Sequence, residues 1–300
     1  MDAHLLPPTV NASSLSPPTE SLTSGYNMAV SHPVHYNGVN IKVRLFKPLG
    51  DYREQAPSSC LQPIQEKLVP TGLMDIPHRP SIAPMRFSTV EGTVDPRTGQ
   101  QPVAVVSLFY DFNILDKLEG AEPGQRIKWI LQICEAVEYL HENNIVHGNI
   151  HPRNIMINND FQAALTDICL YSFTAVHLMR DLEATPPHPV TLACKRPSKY
   201  ETYYSDSMVP MCLPTKEDDI FALVTTIWML FEQKEPWEGI KEGRDMSRVI
   251  RKISYSGHQS LEKPTAMSDG LWQVLREVFL DGAFDPTSTL VKIIDELRSS

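Results

Sequence analysis

One stretch constrains this chain more than any other: Ile145-Val146-His147-Gly148-Asn149-Ile150-His151-Pro152-Arg153-Asn154-Ile155-Met156-Ile157, followed later by Leu165-Thr166-Asp167. Polar side chains that can hydrogen-bond or move protons stand between apolar runs. In the preceding residues 125–143, Ile127, Ile130, Leu131, Cys134, Val137, Tyr139 and Leu140 recur at helical spacing. The order is therefore helix, polar loop, short apolar strand and a later aspartate.

These residues resemble the catalytic loop and metal-binding segment of protein kinases, which read His-Arg-Asp-Leu-Lys-Pro-x-Asn, an apolar strand, then Asp-Phe-Gly. The resemblance implies an α+β fold in two lobes. A small β-rich N-lobe takes about residues 22–110, and a larger α-helical C-lobe about 111–298. Residues 1–21, rich in Pro, Ser and Thr with Pro7-Pro8 and Pro17-Pro18, are expected to form a disordered tail. In the N-lobe, Asn37-Gly38 predicts a hairpin turn over residues 34–45. Val39, Ile41, Val43 and Leu45 alternate there with Asn40, Lys42 and Arg44. Further strands are expected at 82–88 and 102–110, and helices at 217–232, 271–280 and 290–297.

The family's motif then assigns roles by position. Asn149 takes the place of the aspartate that accepts the substrate hydroxyl proton. An amide can orient a hydroxyl but takes no proton at neutral pH. His151 replaces the loop lysine and, with an ordinary pKa of about 6.5, carries little charge at pH 7. Gly148 replaces the arginine that pairs with a phosphorylated activation segment. Some fungal tyrosine-kinase-like families are similar in carrying His-Gly-Asp here. Asn154 and Asp167, thirteen positions apart, match the two metal ligands, and oxygen donors suit Mg²⁺. Ile168-Cys169 replaces Phe-Gly. Asp219, in Asp218-Asp219-Ile220-Phe221, matches the aspartate that fixes the loop backbone, with a simple helix-start carboxylate as the alternative. His147 belongs to the same structural frame.

Around the nucleotide the resemblance is thinner. Val39-Asn40-Ile41-Lys42 is similar to the Val-Ala-Ile-Lys strand, so Lys42 would hold the α- and β-phosphates of ATP. Asn40 stands where an alanine roofs the adenine. Of the glycine-rich loop only Gly25 and Val30 fit. Glu66 is the expected partner of Lys42, with Glu54 the alternative. Residues 105–110 resemble the strand running into the hinge, with Ser107 as gatekeeper and Phe109 beside it. Arg196-Pro197-Ser198 and Asp285-Pro286-Thr287 stand where a glutamate and an arginine form a buried ion pair in the family. Both ends are changed together.

A net charge of -9 over 300 residues argues against nucleic acid, because phosphate contacts need a basic face. No run of about 18 apolar residues is present, so no membrane span is expected. The five scattered cysteines form no C-x-x-C pair and read as reduced thiols. The expectation is an intracellular, cytoplasmic protein, with a nuclear location also compatible. ATP and Mg²⁺ are the implied cofactors, and a protein substrate or protein partners the implied contacts. The oligomeric state is left open. Three readings follow: a pseudokinase of the tyrosine-kinase-like branch that works through partners, a weakly active serine/threonine or tyrosine kinase, and a scaffold that binds no nucleotide.

Overall fold

Alternating burial begins the first unit. In β4 (Val39–Phe46), Ile41 and Val43 are buried while Asn40 is exposed and Lys42 half-buried. The preceding turn places both Asn37 (φ 46°) and Gly38 (φ 82°) in the left-handed region, as a two-residue hairpin with native twist requires. The computed structural model describes residues 6–7, 9–11, 28–30, 34–46, 79–92, 103–168, 194, 196, 214–234, 258–280 and 283–299. They divide into two compact units, residues 1–110 and 111–300.

Among the described residues, the first unit holds a six-stranded sheet. β1 (Thr9–Asn11), β2 (Met28–Val30), β3 (Val34–Tyr36), β4, β5 (Met85–Glu91) and β6 (Val103–Leu108) make it up. The path runs β1-β5-β6-β4-β2, with β3 also on β4. All pairs are antiparallel except β1 with β5. Lys42 lies opposite Ser107, and Val43 opposite Val106. Opposed residues share a sheet face, so Lys42 and Ser107 lie on one face and Val43 and Val106 on the other.

The apolar face corrects one expectation. Part of the proline-rich N-terminus is ordered: Thr9–Asn11 pairs with Thr89–Glu91, and Leu6 and Val10 are buried with Ile41, Val43 and Val106. Composition averages over a segment, whereas these two side chains meet a surface supplied by distant strands.

The second unit is built on helices. It opens with β7 (Phe112–Asn113) and α1 (Ile114–Leu118), capped reciprocally by Asn113 and Asp116. α2 (Pro123–Glu142) starts with proline at its first position, where the missing N–H removes no helical bond. It buries Trp129, Ile130, Ile133, Val137 and Leu140. β8 (Ile155–Ile157) and β9 (Ala163–Leu165) pair antiparallel, with β7 on the free edge of β8.

α3 (Lys216–Glu232) is buried all round from Asp219 to Leu230 and forms the centre of this unit. Phe221 meets His258 (4.7 Å between ring centroids) and Phe279 (6.2 Å) edge-on. α4 (Asp269–Phe279) and α5 (Pro286–Ser299) close the unit. α5 begins four residues before the expected start. Asp285 caps it by accepting from the Ser288 N–H (2.7 Å), and Pro286 takes the next position.

Phe221 is fully buried at the meeting of α3, α4 and the turn at His258. Phe221→Ala should destabilise the protein by about 3–5 kcal/mol, read as a lower midpoint in urea unfolding.

Candidate active site

The loop is assembled on the carboxylate of Asp219, which is 1% exposed. Its Oδ2 accepts the backbone N–H of His147 (2.7 Å) and its Oδ1 that of Gly148 (2.8 Å). The Nε2–H of His141, near the end of α2, donates to Oδ2 at 3.0 Å. Four lone-pair sites thus receive three donors, which offsets the burial of the charge. Asp218 does a separate job. Thr215 and Asp218 form a reciprocal capping box at the start of α3, with the Thr215 N–H donating to Asp218 Oδ2 at 2.8 Å. Of the two readings that the sequence leaves to Asp219, the loop contact is the one made, and its neighbour takes the cap.

Gly148 has φ 74°, where a Cβ is strained, and its N–H is one of the two held by Asp219. His147 is fully buried. Desolvation lowers its pKa below the ordinary histidine value, against the opposing pull of Asp219 and Asp167. The Asn149 N–H donates to His147 Nδ1 (3.2 Å), so the neutral ring carries its proton on Nε2.

Asn149 is half-buried. Its side-chain Oδ1 is shielded and accepts no hydrogen bond among the described residues. Asn154 Nδ2–H donates to the Asn149 carbonyl (2.9 Å). That bond fixes which end of the Asn154 amide is nitrogen and leaves Oδ1 as the oxygen available to a ligand. His151 is buried at 6% exposure and precedes the single 3-10 turn Pro152–Asn154.

The β8–β9 hairpin lies between Asn154 and Asp167. Ile155 lies opposite Leu165, and just beyond them Thr166 donates to the Asn154 carbonyl through N–H (2.9 Å) and Oγ1 (3.2 Å). The backbone of Asn154 is therefore bonded to the residue immediately before Asp167. Asp167 has φ 65°, left-handed backbone that costs a non-glycine residue about 1–2 kcal/mol. Strain of this kind persists only where surroundings fix it, and it gathers at functional sites. At the far end the hairpin turn is tied to α2. The Phe161 carbonyl accepts from Trp129 Nε1 (2.8 Å) and Gln125 Nε2 (3.1 Å), and the Ala163 N–H donates to Gln132 Oε1 (2.9 Å). Local spacing carries no signal for this clamp, because its partners are backbone groups more than thirty residues along the chain.

The first unit carries its own candidates. Lys42 is half-buried beside buried Ser107 on one face of the sheet. Asn40 shares that face and accepts from His35 Nδ1 through its Oδ1 (3.1 Å), while its backbone carbonyl accepts from the Phe109 N–H (2.9 Å). Val30 pairs with Arg44. Gly25, Glu66, Glu54, Cys169 and Ser198 lie outside the described residues.

The Arg196 guanidinium stands over the Phe284 ring at 5.5 Å. Asp285 is exposed and caps α5.

The model of the protein kinase domain matches residues 110–281, more than half of the chain, and the chain belongs to that family. It is similar to human receptor-interacting serine/threonine-protein kinase 1, with 30% identity over 115 residues, 36% of this chain and 16% of that protein. It is also similar to serine/threonine-protein kinase PKH2 of Candida albicans, with 24% identity over 168 residues, 50% and 17% of the two chains. Human cytoplasmic tyrosine-protein kinase BMX is 23% identical over 158 residues, 52% and 21%. The chain thus matches about a fifth or less of the length of each of these relatives.

Asp219→Ala leaves two buried amides without an acceptor and should destabilise the protein by at least about 3 kcal/mol. Asp218→Ala, which removes a cap, should lose about 1 kcal/mol in the same urea titration. Acid provides a second check. The native pKa of His147 lies below its unfolded value, so the unfolded chain gains a proton first as pH falls. Stability is therefore retained above about pH 6.5 and declines below it, by up to about 1.4 kcal/mol per pH unit from this group. His147→Gln should make that decline shallower when unfolding is followed across the range.

Proposed function

We propose that this kinase-domain protein is a catalytically impaired pseudokinase that binds Mg-ATP and acts through protein partners. The observation that carries the reading is Asn149. It occupies the proton-accepting position on a loop whose frame is otherwise in place. Its shielded Oδ1 has a lone pair to orient a hydroxyl and no basicity to deprotonate one. General-base help is worth roughly 10²–10⁴ in rate, and that is the expected deficit. His151 in place of lysine removes a fixed positive charge near the transferred phosphoryl group.

Nucleotide binding rests on other residues. Asn154 and Asp167 offer hard oxygens of the kind that fit Mg²⁺, with the Asn154 amide already oriented. When bound, the ion would neutralise charge on the phosphates. Lys42 is the residue to hold the α- and β-phosphates. The wording His147-Gly148-Asn149 supports our assignment to the tyrosine-kinase-like branch, and we infer an intracellular setting.

A weakly active serine/threonine or tyrosine kinase is the second reading. Retained Lys42, Asn154 and Asp167 favour it, since positioning and electrostatics supply most of phosphoryl-transfer catalysis.

A thermal-shift titration with ATP, with and without Mg²⁺, separates the readings. We expect a saturable, Mg²⁺-dependent rise in Tm that Asp167→Ala removes. In parallel, wild-type transfer to a peptide substrate should be negligible, and Asn149→Asp should raise it by about 10²-fold or more. Autophosphorylation by the wild type that Asp167→Ala abolishes would select the second reading. No shift at millimolar ATP would overturn both and leave a scaffold.

A further inference from the structure

Residues 6–7 and 9–11, near the N-terminus, pack onto the rest of the first unit as a ligand sits on a receptor. They reach it from the far end of a long connection, since β5 lies at Met85–Glu91. Three kinds of contact hold them. The strand Thr9–Asn11 adds in parallel to the outer edge of β5. Leu6 and Val10 enter an apolar surface made by Ile41, Val43 and Val106, with Tyr36 and Leu108 at its border. Two side chains of β5 read the peptide backbone: Ser88 Oγ donates to the Pro7 carbonyl (2.6 Å) and Arg86 Nη1 to the Leu6 carbonyl (3.3 Å). Ser88 is itself 3% exposed, so this is a buried polar group aimed at the segment.

The features have the logic of strand-addition recognition. Main-chain bonds supply general affinity, and pockets for particular side chains supply selectivity. Pro7 has no N–H to leave unsatisfied, while its carbonyl is taken by Ser88. A three-residue parallel edge strand is too short to hold by its ladder alone, so the two apolar anchors carry the docking. The surroundings of residues 6–11 therefore specify a peptide: leucine, then proline, then valine at the fourth position after the leucine.

We propose that residues 6–11 are a detachable internal ligand of a peptide-binding groove along β5. The groove's partner in trans is an extended segment of the same Leu-Pro-x-x-Val chemistry on another protein. The groove lies behind Ile41 and Val43, which flank Lys42 on β4, so its occupant packs against the strand that carries that lysine. The assignment is independent of nucleotide binding.

The test uses the full chain with Leu6→Asp and Val10→Asp together, which should release the segment and open the groove. A fluorescein-labelled peptide of residues 1–14 serves as the probe, followed by fluorescence anisotropy. The double variant should bind it saturably, and the same peptide with both aspartates should not bind. Wild-type chain should bind at least about tenfold more weakly, because its own segment competes at high effective concentration. Absence of binding by a folded double variant would overturn the proposal. Hydrogen exchange on the wild-type chain decides the matter should the variant not fold. Amides of residues 9–11 are expected to exchange through an opening that leaves the β4–β6 amides protected. Exchange of both sets only in global unfolding would make the segment an integral part of the core and defeat the proposal.

Discussion

The carboxylate of Asp219 organises the second unit. It lies in the first turn of the most buried helix and accepts two consecutive backbone N–H groups from the loop, along with the ring of His141. A buried ionised group is stable only when donors saturate it. The loop backbone is thus tied to α3 for electrostatic reasons, whatever chemistry the loop performs. Lys216, at the start of the same helix, donates to the His141 carbonyl (2.6 Å) at the end of α2. Opposite charges of neighbouring helix termini are joined at the point from which the loop departs.

This explains how a changed proton acceptor and an intact frame coexist. Asn149 contributes its backbone to the frame: its N–H bonds to His147 and its carbonyl accepts from Asn154. Its side chain contributes nothing to it among the described residues. Exchange of aspartate for asparagine at such a position alters proton chemistry and leaves the supporting hydrogen bonds untouched. The placement of Asn154 and Asp167 depends in turn on the β8–β9 pairing and on the clamp from Trp129, Gln125 and Gln132 at its far end. Support for the hairpin that carries Asn154 and Asp167 comes from α2, away from Asn149.

What could be read from the sequence follows the range of the contacts involved. The loop, the hairpin and the neighbouring helices were legible because their spacing is local and their polar residues fall in a fixed register with the family motif. The alternation around Lys42 was legible for the same reason, although the family match itself begins only at residue 110. Leu6 and Val10 were hidden inside a composition that signals disorder, since their partners are strands far along the chain. Asp285 was compared with an arginine of an ion pair, whereas its local hydrogen bond to Ser288 makes it a helix cap. The resemblance reads both ends of that ion pair as changed, with Ser198 outside the described residues, and only the fold revealed Arg196 over Phe284.

The two faces of the first sheet connect these points. On β4, residues 41 and 43 point one way and 40 and 42 the other, because a strand alternates. Lys42 and Ser107 belong to the polar face, and Leu6 and Val10 seal the apolar one. A strand covered on its apolar side keeps its register, since a slip of one residue would expose Ile41 and Val43 and bury Lys42. The placement of Lys42 is therefore secured from behind, by residues on the opposite face of the sheet.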